Sequence, residues 1–249
     1  MAYNVPATSK TPALIIYLID ISKSMDAPMN GVPRIDVLNQ SIKKVLRQMI
    51  GRSTTGELLS PRYRVAMLAY SNDVHDVLGG VQTITHVAQL GAPRFSTQNV
   101  TNTALAFDAA RRILEQQLPH MQSCPAPLVC HLTDGRYTNE DPEPCARQIM
   151  AMSNPDGNVL VENVFIGNDL TVDPIVDPHE WRGIQHAHEL SDDYARKLLA
   201  MSSRVPDSYA EIMQENDFPI LSGSSMLFPA SHSELVEAAF VMSAATRFR

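Results

Sequence analysis

The sequence predicts an α/β fold of the doubly wound, Rossmann-like kind, with a mostly parallel central sheet, one antiparallel edge strand and helices on both faces. Three observations carry that expectation. Ala13 to Asp20 (ALIIYLID) and Ala126 to Thr133 (APLVCHLT) are nearly continuous apolar runs, the pattern of strands covered on both faces. Strand-like and helix-like stretches alternate along the chain, which in one sheet calls for right-handed crossovers and helices on either side. The 249 residues suit one large α/β unit, and 44% hydrophobic against 19% charged residues supply a substantial core.

Residues 1–12 read as an N-terminal tail, and 13–249 as a single domain with an extended segment at about 168–231. Ile35, Leu38, Ile42, Val45, Leu46 and Met49 recur at helical spacing with Lys43, Lys44 and Arg47 between them, an amphipathic helix with a solvated basic face. Arg62 to Tyr70 and Val74 to Leu78 flank Ser71, Asn72 and Asp73, a turn short enough for a hairpin that supplies the antiparallel edge. Thr101 to Leu118 is an alanine-rich helix closed by Pro119. A helix over Pro142 to Met152 and a strand over Val159 to Ile166 are joined by a turn at Asp156 and Gly157. Asn168 to Gln185, with four acidic residues, two prolines and no clear period, reads as an irregular excursion. Short helices follow over Ser191 to Met201 and Pro206 to Glu215, then a last strand over Ser224 to Phe228. Ser231, with Glu234 three residues on, forms a capping box that opens a final helix to about Phe248.

Composition narrows the function classes. A formal net charge of -7, from 27 acidic and 20 basic side chains, provides no overall basic field, and no nucleic-acid partner is expected. No apolar stretch has the length of a membrane span and the N-terminus lacks a secretory pattern, so the expected setting is cytoplasmic, with no membrane partner. Cys124, Cys130 and Cys145 are odd in number and form no CxxC pair, which reads as reduced structural thiols. GxxxxGK[ST], GxGxxG and GxSxG are all missing, which argues against an ATPase, a dinucleotide enzyme and a serine hydrolase.

The chemistry gathers at strand ends. Asp20, Ser22 and Ser24 form D-x-S-x-S as the first apolar run ends; Thr101, in VTNTA, opens a helix; and Asp134, in HLTDG, follows the second apolar run. In doubly wound sheets ligands collect beyond the carboxyl ends of the strands, near the point where strand order reverses. Three hydroxyls and two carboxylates there make an oxygen-only set suited to a hard divalent cation, Mg2+ foremost, with Ca2+ or Mn2+ also accommodated. Taken singly, each of these residues is equally at home as a helix cap or turn residue.

As a set, D-x-S-x-S followed by Thr101 and then Asp134 resembles the von Willebrand factor A-type domains and their metal ion-dependent adhesion site (MIDAS). The resemblance implies that Asp20, Ser22 and Ser24 are first-loop metal ligands, Thr101 the second-loop ligand and Asp134 the third. It departs from the family where Lys23 replaces a glycine found in many members, and where Asn99 and Val100 stand in place of glycines. It also implies a non-catalytic module that binds a protein partner presenting Asp or Glu through the cation; the termini, the acidic balance and the lack of paired cysteines lead us to expect that partner within an intracellular regulatory complex. Lys23 would then assist by long-range attraction.

Two other readings share these residues. A metal-dependent phosphohydrolase attacking through Asp20 wants a second carboxylate two residues later, where Ser22 stands. A regulatory subunit would differ only in its partner, an ATPase, kinase or phosphatase. Outside the set, His179, His186 and His188 gather with Glu180 and Glu189, but the spacing is not HExxH and H-x-H on a helix turns its rings apart. That segment reads as a polar surface stretch anchored by Trp181.

Overall fold

The computed structural model describes residues 3–98, 100–138 and 140–243. Among them, seven strands form the central sheet: β1 (Ala13–Asp20), β2 (Tyr63–Tyr70), β3 (Val74–Asp76), β4 (Gln82–Thr83), β5 (Leu128–Thr133), β6 (Leu160–Phe165) and β7 (Leu227–Pro229). The helices are α1 (Arg34–Ser53), α2 (Ile84–Leu90), α3 (Thr103–Gln117), α4 (Glu143–Ala151), α5 (Asp193–Ala200), α6 (Asp207–Glu215) and α7 (Ser233–Ser243).

All eight residues of β1 are buried, because the strand is covered on both sides. Ala13, Ile15, Tyr17 and Ile19 enter one apolar cluster with residues of α1, α2, α6 and α7. Leu14, Ile16 and Leu18 enter the other, with residues of α3, α4 and α5. The helical spacing in α1 is realised in full: Ile35, Leu38, Ile42, Val45, Leu46 and Met49 are all buried. Each such side chain contributes about 1.5–3 kcal/mol relative to leaving it in water.

The strand order is β7-β6-β5-β1-β2-β3, parallel from β7 to β2. The sequence predicts one antiparallel edge strand; the edge is split in two. β3 pairs with Leu68 to Tyr70 and β4 with Arg64 and Val65 of the same strand, both antiparallel. Gly79 and Gly80, at φ of +68° and +106°, lie between the two pieces in backbone conformations that side chains with a Cβ resist. Successive crossovers from β1 run to β2 on one side and β5 on the other, so the order reverses at β1 and a crevice opens above its carboxyl end.

Several local expectations shift. α2 is unannounced in the sequence because its seven residues bury only Ile84 and Val87, too few to set a visible period; Thr83 caps it, accepting from His86 N at 3.3 Å. α3 begins at Thr103, two residues later than predicted, because Asn102 caps it through Leu105 N at 3.3 Å. Thr101 is thereby left in the loop. α7 begins at Ser233, so Ser231 lies ahead of its cap position and its hydroxyl meets His232 Nδ1 at 3.1 Å. The last residues of the predicted final helix, 244–248, lie outside the described residues.

Asp156, read as a turn residue, also fastens the chain's start: its Oδ1 accepts from Asn4 N and Val5 N at 2.9 and 3.0 Å, and its Oδ2 from Ala126 N at 3.0 Å. The segment from 168 contributes α5 and α6 and is bound to the sheet through Ser203, whose N and Oγ bond to Val161 O and N at 2.8 and 2.9 Å. Among the described residues no helix is long and apolar enough to cross a membrane.

Candidate metal centre

Three loops meet above the carboxyl ends of β1 and β5: residues 21–33, the described residues 91–98 and 100–102, and the described residues 134–138 and 140–142. Hydrogen bonds join them in pairs. Gln98 N donates to Ile21 O at 2.6 Å and Thr97 Oγ1 to Asp26 Oδ1 at 2.7 Å, tying the second loop to the first. Thr138 donates from N and Oγ1 to Thr101 O at 3.3 and 2.8 Å, tying the third to the second. Asp134 accepts from Arg34 Nη1 at 2.9 Å, tying the third to the start of α1.

Asp20 is the last residue of β1 and fully buried. Its Oδ1 accepts from Ser22 N at 2.9 Å and its Oδ2 from Thr133 Oγ1 at 2.8 Å. Burial, and next the charge of Asp134, push its carboxyl up to about 6, against the lowering by Ser22 and Thr133. After β1 the chain turns through a short 3-10 helix, Lys23–Asp26, with Met25 plugged into the core. That turn brings Ser24 Oγ within 3.0 Å of Ser22 Oγ. Thr101 and Asp134 are buried on the second and third loops. Asp134 Oδ1 accepts from Arg136 N at 3.3 Å. Gly135 follows at φ +84°, where a Cβ would stand 3.2 Å from Leu198 and 3.3 Å from Phe165, so the third loop packs closely over α5 and β6. Lys197 of α5 adds ion pairs to Asp141 and Glu143 at 3.0 and 2.7 Å.

Lys23 pairs within its own turn. Its Nζ lies 2.6 Å from Asp26 Oδ2 within its own turn, and this contact, with Thr97, draws the Asp26 carboxyl below its ordinary value. The Lys23 side chain is otherwise 69% exposed.

Three features escape sequence reasoning. Thr133 reads as an ordinary strand residue, yet its buried hydroxyl spans Asp20 Oδ2 and Gly135 N, the latter at 2.9 Å. Arg34 is 100 residues from Asp134 and no local pattern connects them. Beneath the site runs a buried polar chain: Tyr70 Oη and His131 Nε2 are 2.6 Å apart, and His131 Nδ1 is 2.7 Å from Asn163 Oδ1. Asn163 Nδ2 donates to Ser202 Oγ at 2.8 Å, which leaves its Oδ1 as acceptor; His131 therefore carries its proton on Nδ1 and accepts from Tyr70. Burial pushes His131 down to about 4. Polar residues embedded in apolar strands were the available signal. Glu162 is another: it lies opposite Cys130 on the neighbouring strand, and burial raises its carboxyl well above the ordinary range, against a smaller lowering by hydrogen bonding to the Cys130 thiol.

The histidine segment also departs from expectation. The His186 and His188 rings stack, with centroids 5.3 Å apart and 14° between planes. His186 is an extended cap residue before a one-turn 3-10 helix, Ala187–Glu189, so the ring directions of a continuous α-helix do not apply. Trp181 packs edge-on to Phe228 at 5.7 Å. Among the described residues no group of three or more His, Cys, Asp or Glu is placed to hold a metal. An ion bound in this crevice would therefore depend on hydroxyls as well as carboxylates.

No family model matches the chain, and no curated protein matches it. Solved structures do. Proximal thread matrix protein 1 from the mussel byssus, with a zinc-occupied MIDAS motif, aligns at a TM-score of 0.56 and 12% identity over 96% of this chain and 47% of its own. The pilus adhesin SpaC from Lactobacillus rhamnosus GG aligns at 0.56 and 14%, over 94% of this chain and 30% of its own. An aerotolerance-related membrane protein from Bacteroides fragilis NCTC 9343 aligns at 0.50 and 15%, over 76% and 86%. This chain thus spans less than half of the first two proteins, and at such identities the likeness is one of fold.

Proposed function

We propose that this chain, whose fold is the von Willebrand factor A-type fold, binds a divalent cation through Asp20, Ser22, Ser24, Thr101 and Asp134 and uses it to bind a protein partner within an intracellular regulatory complex. The observation that carries the reading is the charge of the crevice. Two buried carboxylates lie close enough to interact, only Asp134 is paired with a guanidinium, and Asp20 is pushed up to about 6 by burial and by Asp134. A divalent cation would supply the missing positive charge.

The donor set fits a hard ion. It holds hydroxyl and carboxylate oxygens and no thiol or imidazole, which favours Mg2+, then Ca2+ or Mn2+. Ser22 and Ser24, whose hydroxyls now satisfy each other at 3.0 Å, keep lone pairs to offer together. The zinc-occupied motif of the mussel protein supports divalent-cation binding in this fold. When bound, the cation supplies an open coordination position that a partner's Asp or Glu can fill. The chain's own residues set the loops, exclude water beneath them and hold Asp20 in place. A phosphohydrolase reading gains nothing here, because Ser22 stands where an acid-base carboxylate is needed.

The test is affinity capture from cells of the source organism, with Mg2+ and with chelator, for wild type and Asp20→Ala. A partner retained only with Mg2+ and only by wild type is the expected result. Equal capture by folded Asp20→Ala would count against the proposal.

A further inference from the structure

The cation already in the crevice is Arg34. Its Nη1 lies 2.9 Å from Asp134 Oδ2, with the Asp134 side chain wholly buried and that of Arg34 19% exposed. The approach is built by the hairpin of Pro28–Met29 and Val32–Pro33, which folds the first loop back so that Arg34 becomes the first residue of α1. Arg34 N donates to Ala27 O at 3.0 Å and fixes the entry. The side chain is poorly satisfied once there. Its Nε is buried with no hydrogen-bond partner among the described residues, so a desolvated guanidinium leaves a donor unspent. A fork that makes one side-chain bond among the described residues, where it has several to give, is held mainly by charge.

Asp134 is correspondingly occupied. Oδ2 is committed to Arg34 and Oδ1 faces Arg136 N at 3.3 Å. A divalent ion drawing on Asp134 must share an oxygen with a positive group or displace it, and two like charges within a few ångströms repel strongly in a buried crevice.

We propose that Arg34 is the resident counter-cation of this site, holding Asp134 while the divalent ion is absent and releasing that oxygen when it binds. Arg34 therefore sets cation affinity: it stabilises the metal-free loops and lowers affinity for the incoming ion. Binding of the ion and release of Arg34 form one equilibrium, so anything that favours the released arrangement, such as an acidic partner that receives the guanidinium, tightens cation binding by the same factor. The inference rests on the metal reading above.

Calorimetric titration of Mg2+ and Mn2+ into wild type, Arg34→Gln and Asp134→Ala tests it. Arg34→Gln is expected to bind at least tenfold more tightly than wild type, and Asp134→Ala more weakly than either. If wild type binds the ion and Arg34→Gln binds no more tightly, the counter-cation role is overturned and the metal site stands. If neither binds, the metal reading falls and the inference with it. A second measurement needs no substitution: in wild type labelled with 15N at arginine, saturating Mg2+ should move the Arg34 Nε–Hε resonance and speed its exchange with solvent. A resonance unchanged at saturation overturns the release.

Discussion

Replacing Thr133 with valine keeps the side chain's shape and removes only its ability to hydrogen-bond. Two buried contacts vanish together, the 2.8 Å donation to Asp20 Oδ2 and the 2.9 Å acceptance from Gly135 N. A bond to a charged group contributes roughly 1.5–3 kcal/mol, and a buried amide left without an acceptor costs about 1 kcal/mol or more. The substitution should therefore destabilise the metal-free protein by about 3 kcal/mol, a Tm loss of roughly 6–12 °C for a chain of this size. Thr133→Ser is the control: it keeps the hydroxyl and loses one buried methyl, at a cost of about 1 kcal/mol. Urea and thermal unfolding at pH 7 in chelator give the order wild type, then serine, then valine. Shape alone predicts the reverse, with valine harmless and serine costly. Valine equal to or more stable than serine would refute the hydrogen-bond account of how Asp20 is held.

His131, held down to about 4, should stay neutral well below its ordinary 6.5. The unfolded chain takes its proton near 6.5 and the folded one only near 4, so this residue withdraws up to about 3 kcal/mol of stability as pH falls through that window. Asp20, raised to about 6 from 3.8, works in the opposite direction in the metal-free protein, so the ring itself is the better reporter. NMR titration should find no His131 inflection above pH 5, and one near 6.5 would contradict the buried Tyr70–His131–Asn163 chain. Glu162→Met should raise stability by about 1–3 kcal/mol, because it replaces a buried carboxyl whose facing polar group is the weakly bonding Cys130 thiol with an apolar side chain of similar length; a lower urea midpoint would mean that more than that thiol holds the carboxyl.

The parts legible in the sequence were those written locally. The apolar runs of β1 and β5 and the period of α1 announced both layers, and Asp20, Ser22, Ser24 and Asp134 could be placed at strand ends because each directly follows such a run. Thr101 was placed by the helix it precedes, although Asn102 rather than Thr101 caps that helix. What stayed hidden depends on pairing across the sheet or between distant elements. Arg34 meets Asp134 only after α1 crosses over. The edge breaks because Gly79 and Gly80 allow two short strands to share β2. Thr133 matters through what lies on the neighbouring strand.

The central claim, that these three loops hold a divalent cation, is tested most directly with Mn2+ as a paramagnetic probe of wild type in solution. One ion should bind per chain, Mg2+ should displace it, and amide resonances of Ser22, Ser24, Thr101 and Asp134 should broaden first and together. Broadening centred elsewhere, or no saturable binding, would contradict it.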